Sequence, residues 1–378
     1  MLSYTIQRLL GVIPVILLVT LLVFTLNALI PGDPGRLRLG ERADPAQVDA
    51  WNFKRGYKAP FVAQYVRYLG FAPKRVYVED LQLRNEGNSE LADALRELRN
   101  AEAPRASYEE LADQHGLHVD EYKGSPLLYR SEFNGVLQGD LGESDVKQGV
   151  RVMEVVRRAF FMTVKLALGS IIVAIILGVG AGILSAVKSR TWIDYVSMVG
   201  AIIGVSMPVF WLGILLILFV APVLGLPSSG PGEGTFGSTI HHLILPCFAL
   251  GLISSATIAR LTRSAMLDVL SQDYVRTAKA KGLRPKVVIM KHALRNASIP
   301  IVTVIGNSFG YLLVGAVLTE SVFALPGLGR TIVESIVQRD RMVITGGILV
   351  MSVIFVVVNL LIDLSYGIFD PRVRHGRA

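Results

Sequence analysis

The sequence predicts an all-α integral membrane protein with six transmembrane helices, and three observations carry that prediction. Hydrophobic residues fill 52% of the 378 positions and charged residues only 18%, below the roughly one quarter usual in soluble domains. Six apolar runs punctuate the chain, each near the ~20 residues that a bilayer core requires. The net charge of +8 is also unevenly placed. Arg260, Arg263, Arg276, Lys279, Lys281, Arg284, Lys286, Lys291 and Arg295 crowd one inter-helix segment, against only Asp268 and Asp273. Such crowding marks a cytoplasmic loop of a membrane protein and not a nucleic-acid-binding face, so no nucleic acid partner is expected.

Taken in order, residues 1–30 form a short cytoplasmic end and the first span. Leu9 to Ile30 is apolar, and Arg8 before it favours a cytoplasmic N-terminus. The run is too long for a signal-peptide core and no small-residue cleavage site follows, so it reads as retained. Pro31-Gly32-Asp33-Pro34 stops it. Residues 31–158 are polar with nearly balanced charge, and a loop of that length crosses the membrane regardless of charge. Between about 71 and 130, Leu91, Leu95 and Leu98 fall at helical spacing. Ser107 with Glu110 reads as a capping box ahead of Leu111, and Gly116 as the helix stop. The expectation is a small extracytoplasmic α-helical insertion.

Residues 159–370 hold the other spans, expected at 163–187, 196–220, 240–258, 299–319 and 344–366, with a cytoplasmic loop at 259–298 and a tail at 371–378. Gly178, Gly180 and Gly182 suit close helix approach. Pro208 should kink the third span beside Trp211. His241 and His242, adjacent on a helix, point about 100° apart and serve one metal poorly, so they read as interfacial. The single Cys247 excludes an intrachain disulfide, and no metal cluster is expected. Asp363 reads as an anchor near the cytoplasmic end of the last span.

Inside the cationic loop, Ser271 to Gly282 is a short helix-forming stretch. Ser271 or Asp273 can act as N-cap, the basic residues suit the last turn, and Gly282 sits where a helix ends. On composition alone it is a loop that fixes topology or touches anionic membrane lipid.

Tyr274-Val275-Arg276-Thr277-Ala278-Lys279-Ala280-Lys281-Gly282, continuing through His292-Ala293-Leu294-Arg295-Asn296-Ala297 to Pro300, resembles the EAA loop of ABC importer permeases of the dipeptide/oligopeptide/nickel group. Aligned on Gly282, the Glu-Ala-Ala of that loop falls on Arg276-Thr277-Ala278, so only the last position agrees. Tyr57 to Tyr65, Gly139 to Ser144 and Glu320 to Arg330 resemble further segments of the same permeases. The resemblance implies the ABC type I importer permease fold. It assigns Asp273, Tyr274, Arg276, Thr277, Ala278, Lys279, Ala280, Lys281 and Gly282 to a coupling helix seated in an ATPase cleft. Phe323, Pro326, Gly327 and Gly329 would lie near the external mouth of the pathway.

The implied partners are a second related permease, two cytoplasmic ATPases and an extracytoplasmic binding protein. ATP and Mg would reside on the ATPases. This chain has no Gly-x-x-x-x-Gly-Lys-Ser/Thr loop, so it is expected to bind no cofactor and to be a transport subunit, not an enzyme. Peptides are the first substrate class; nickel chelates, glutathione and sugars stay open. An intramembrane hydrolase would need paired aspartates or a His-Glu-x-x-His helix, neither of which occurs. An ATPase-independent channel or secondary transporter is the remaining rival. The expected location is a bacterial or archaeal cytoplasmic membrane, with both termini inside.

Overall fold

A computed structural model describes residues 2–29, 32–79, 83–84, 86–147 and 149–369. The helices are α1 (Leu2–Leu29), α2 (Pro34–Leu39), α3 (Pro45–Lys54), α4 (Phe61–Leu69), α5 (Ser89–Asn100), α6 (Arg105–His115), α7 (Val152–Val187), α8 (Trp192–Ser206), α9 (Val209–Leu215), α10 (Phe236–Leu270), α11 (Asp273–Ala280), α12 (Leu294–Gly315), α13 (Val317–Val322), α14 (Leu328–Gln338) and α15 (Arg341–Phe369). Three strands, β1 (Lys74–Tyr77), β2 (His118–Tyr122) and β3 (Ser125–Glu132), form one antiparallel sheet in the order β1-β3-β2. The chain divides into an apolar unit, 1–23 with 155–337 and 344–378, and a polar unit, 24–154 with 338–343.

Among the described residues, five helical stretches are long and apolar enough to cross a membrane: Leu9–Leu29, Val152–Val187, Phe236–Leu270, Pro285–Val314 and Arg341–Ile362. A sixth crossing requires the pair Trp192–Ser206 and Val209–Leu224, bent by 105°. The single kinked helix expected at 196–220 is therefore two helices. Met207, held extended at φ −86° and ψ 127° ahead of Pro208, makes the break. A residue before proline is pushed out of the helical region, and proline brings no N–H to carry the ladder across.

The core of the apolar unit lies between α7, α9, α10 and α12, around Leu166, Ala167, Leu250, Ile258, Leu312 and Phe323. Small residues set the helix spacing there. A Cβ added at Gly178 would lie 2.7 Å from the Ser255 carbonyl oxygen, and one at Gly182 would lie 2.6 Å from that of Ala259. Gly251 returns the contact, 2.6 Å from the Ser170 carbonyl. Gly180, expected to join this stripe, faces open space instead.

In the polar unit, Asp33 caps α2 by accepting from the Gly35 (2.8 Å) and Arg36 (3.2 Å) N–H groups, and Asn52 Nδ2 donates to the same carboxylate at 2.8 Å. The insertion corrects the sequence expectation. Helices α5 and α6 form as anticipated, with Leu91, Leu95, Tyr108 and Ala112 buried, but they pack with a sheet through Leu128. The strand signal was short and irregular: Asp120 and Glu121 interrupt the alternation in β2, and the turn to β3 is Lys123-Gly124. Both turn residues have positive φ, 50° and 80°, the geometry that matches the twist of a hairpin. The capping box is also corrected. Helix α6 starts behind Pro104 with no side-chain cap, which leaves Ser107 inside the helix. Gly116 does close it, left-handed at φ 65°.

The side chain of Asp363 and the residues 370–378, which carry the expected tail, lie outside the described residues.

Candidate functional site

Helix α11 follows α10 after a two-residue turn and has a two-faced sequence. Val275 and Ala278, three apart, are buried against Val288, Val269 and Leu270. Asp273, Tyr274, Arg276, Thr277, Lys279 and Ala280 are exposed, as are Lys281 and Gly282 beyond the helix end. Of the predicted coupling residues, Ala278 alone turns inward, and Val275, which the sequence reading passed over, shares its role. The N-cap position is held by Gln272, not by Ser271 or Asp273. The Ser271 hydroxyl donates to the Asp268 carbonyl (2.8 Å), while Asp273 lies in the first turn, where a negative charge suits the helix dipole.

The C-terminus is closed by the expected glycine. Gly282 has φ 76°, its N–H donates to the Lys279 carbonyl (3.0 Å), and the Leu283 N–H donates to that of Ala278 (3.4 Å). These two bonds make a Schellman cap. The Asn296 amide donates to the Tyr274 hydroxyl at 2.7 Å, tying α11 to the start of α12. A π-helical turn at Val288–Ala293 leads into α12. The result is a short helix with its apolar side fixed and its cationic side exposed.

Beside this segment lies a pair that sequence reading did not join. Arg263 on α10 donates twice to Asp194, at 2.6 and 2.7 Å. The same carboxylate accepts from the Arg190 N–H (2.9 Å) and from the Ser185 hydroxyl. The α7–α8 turn is thereby locked onto α10. In the sequence, Arg263 counted only as one more cation of the loop.

The second candidate locus is the segment after α13. Phe323 is 1% exposed, Leu325 0% and Leu328 1%. Ala324 is left-handed at φ 52°, and Pro326 stands exposed at the tip. Gly327 and Gly329 are buried, and a Cβ on either would run into the Glu320 carboxyl or into Val317. Gly327 and Gly329 are thus gathered at the Glu320 carboxyl, while the Phe323 ring packs against Gly213 of α9. The Glu320 carboxylate is buried, accepting from the Thr163 hydroxyl (2.5 Å) and the Arg330 N–H (2.9 Å). Thr163 Oγ1 in turn accepts from the Leu328 N–H at 2.8 Å. The signal for Glu320 was present, since an acid between an apolar span and a glycine-rich turn invites a partner. That for Thr163, 157 residues away, was not.

His242 Nδ1 lies 2.9 Å from the Ser238 carbonyl, its ring edge-on to His241. Among the described residues no three His, Cys, Asp or Glu side chains gather as a metal site.

Comparison with known proteins gives the geometry its context. Residues 178–375 match the model of the binding-protein-dependent transport system inner membrane component, and residues 1–79 match the N-terminal domain model of the same systems. The chain belongs to this family. It is a multi-pass membrane permease subunit. It is similar to the dipeptide transport system permease protein DppB of Alkalihalophilus pseudofirmus, with 37% identity over 99% of this chain and 100% of that one. DppB of Escherichia coli K12 is 35% identical, with 99% of each chain covered. The glutathione transport system permease protein GsiC of Pectobacterium atrosepticum is 36% identical over 99% of this permease and 100% of its own length. Among solved structures, an inward-facing MetNI methionine ABC transporter covers 58% of the permease and 98% of its own chain, at TM-score 0.50 and 17% identity. That likeness is one of fold alone.

Proposed function

We propose that this permease is one half of the translocation pathway of an ATP-driven importer of di- and oligopeptides, paired with a second related permease. Two cytoplasmic ATPases would hold ATP and Mg, and an extracytoplasmic binding protein would deliver the substrate. The N- and C-termini would be cytoplasmic, the polar unit external and α11 cytoplasmic. The observation that carries the reading is α11 itself, anchored through Val275 and Ala278 and closed by Gly282, with every polar side chain left exposed. A helix so held transmits displacement as a rigid peg and needs no catalytic group of its own. ATP binding would close the ATPase pair, carry α11 with it and open the pathway outward; hydrolysis would reset it.

Dipeptide permeases and a glutathione permease are similar to this chain at nearly the same identity, so glutathione, itself a tripeptide, is the second substrate reading. The test combines affinity purification through this chain with uptake of a labelled dipeptide by cells, in competition with glutathione. Co-purifying ATPases and saturable dipeptide uptake are expected. Gly282→Trp should reach the membrane at normal levels yet lose most uptake, because a positive φ penalises any side chain by ~1 kcal/mol and the added bulk falls on the exposed face. Solute movement through the purified chain alone in liposomes would overturn the importer reading.

A further inference from the structure

Among the described residues, no cation bonds directly to the buried Glu320 carboxylate. The Arg330 guanidinium turns to Glu334 (2.6 Å), so its charge acts on Glu320 only at a distance, and the donors at the carboxylate are neutral: the Thr163 hydroxyl and the N–H groups of Gly329 and Arg330. A buried charge is costly unless its hydrogen bonds are complete. These bonds join three elements. Glu320 belongs to α13, Thr163 to α7, and Leu328 and Arg330 to the start of α14. Thr163 serves both sides at once, donating to the carboxylate and accepting from Leu328. A displacement of α7 against the 323–330 segment therefore cannot occur without breaking bonds to Glu320. Gly327 makes the arrangement possible, since the carboxylate occupies the space of a side chain there. A small apolar hollow lined by Phe160, Thr163, Leu313, Leu328, Met351 and Ile354 lies beside Thr163.

We infer that Glu320 and Thr163 form a latch that holds the 323–330 segment closed against α7 and is released when α7 moves in the transport cycle. Glu320 is a positioning residue: it acts through the backbone of the segment and touches no substrate. The inference rests on the importer reading for its meaning in the cycle, but its mechanical content is independent of any ATPase.

The test uses the full chain in its complex, purified in detergent, in a Cys247→Ala background carrying Leu325→Cys. Leu325 is fully buried, so the introduced thiol should react slowly with a maleimide while the latch is closed. Glu320→Ala and Thr163→Val should each raise the labelling rate at least tenfold and, in cells, lower peptide uptake by a similar factor. Thr163→Ser, which keeps the hydroxyl, should label and transport as the parent does, and Glu320→Gln should fall between. A merely structural role would lower yield without this ordering. Unchanged labelling in Thr163→Val and Glu320→Gln overturns the latch, and these two decide it should Glu320→Ala fail to accumulate. If no ATPase accompanies the chain, the importer reading fails, while the labelling series still decides the latch.

Discussion

At the residue scale, three glycines that look alike in the sequence have different work. Gly178 and Gly182 face α10 so closely that a methyl group would meet its backbone carbonyls, whereas Gly180 meets nothing. Backbone cannot yield as a flexible side chain can, so Gly178→Ala must push α7 and α10 apart, a change of the overpacking kind that costs ~1–3 kcal/mol. Gly180→Ala should be neutral or stabilising by up to ~1 kcal/mol, since glycine is the poorer helix former. Melting of the detergent-purified protein separates the two: Gly178→Ala should lower the midpoint and Gly180→Ala should hold or raise it. A glycine spacing of two was visible in the sequence. Which of the three contacts a neighbour depended on the rotation of α7, and no local pattern encodes that.

At the element scale, the spans were legible wherever apolar length alone defines them, and their ends were not. The fourth span, expected at 240–258, is part of a helix from Phe236 to Leu270. It runs on beyond the apolar window because Ala259, Thr262, Ala265 and Met266 keep a buried side. The helix at 273–280 and its glycine stop were legible, because charge and breaker are local signals, whereas its N-cap fell on Gln272 and not on Ser271 or Asp273. Its inward face was less legible, since burying Val275 and Ala278 depends on Val288 arriving from the next helix. The Asp194–Arg263 tie is likewise a meeting of distant elements. With the Asp194 side chain 4% exposed and that of Arg263 28% exposed, removing Arg263 strands the carboxylate, which costs roughly 3–5 kcal/mol. Arg263→Ala should destabilise strongly and Asp194→Ala less, and the double variant should be no worse than Arg263→Ala. A double-mutant cycle on thermal stability measures this, and strict additivity would deny the tie.

At the scale of the whole molecule, composition announced a membrane protein, yet it described residues 31–158 only as polar. What the polar unit adds is a second, differently stabilised body with its own electrostatics. Asp340 sits in its 338–343 segment, accepting from the Ser144 hydroxyl and from the Asp145 N–H (3.1 Å). Burial and this neighbouring carboxylate push the Asp145 carboxyl up to about 6 from 3.8, opposed by the Met342 N–H and by Arg341 and Arg38. Tyr57 also faces this charge, and its hydroxyl is pushed up, mostly by burial. Because the folded form of Asp145 holds its proton more tightly than the unfolded chain, its contribution is fully present below about pH 4. It is lost as pH rises through about 6, a swing on the order of 3 kcal/mol. Asp33 and Asp120 act in the opposite sense. Burial raises both, but hydrogen bonds from Asn52 and backbone to Asp33, and from Tyr77, Arg75 and backbone to Asp120, leave them lowered. Their stabilisation is lost as pH falls through the acid range below about 4. The two windows barely overlap, so the polar unit should become more stable from pH 7 down to about 4.5 and weaken below that. Amide hydrogen exchange in β1–β3 of the intact chain, corrected for the intrinsic pH dependence of exchange, reads this directly. Asp145→Asn should abolish the rise between pH 7 and 4.5 and leave the acid loss in place. A rise that persists in that variant would assign the effect to another group.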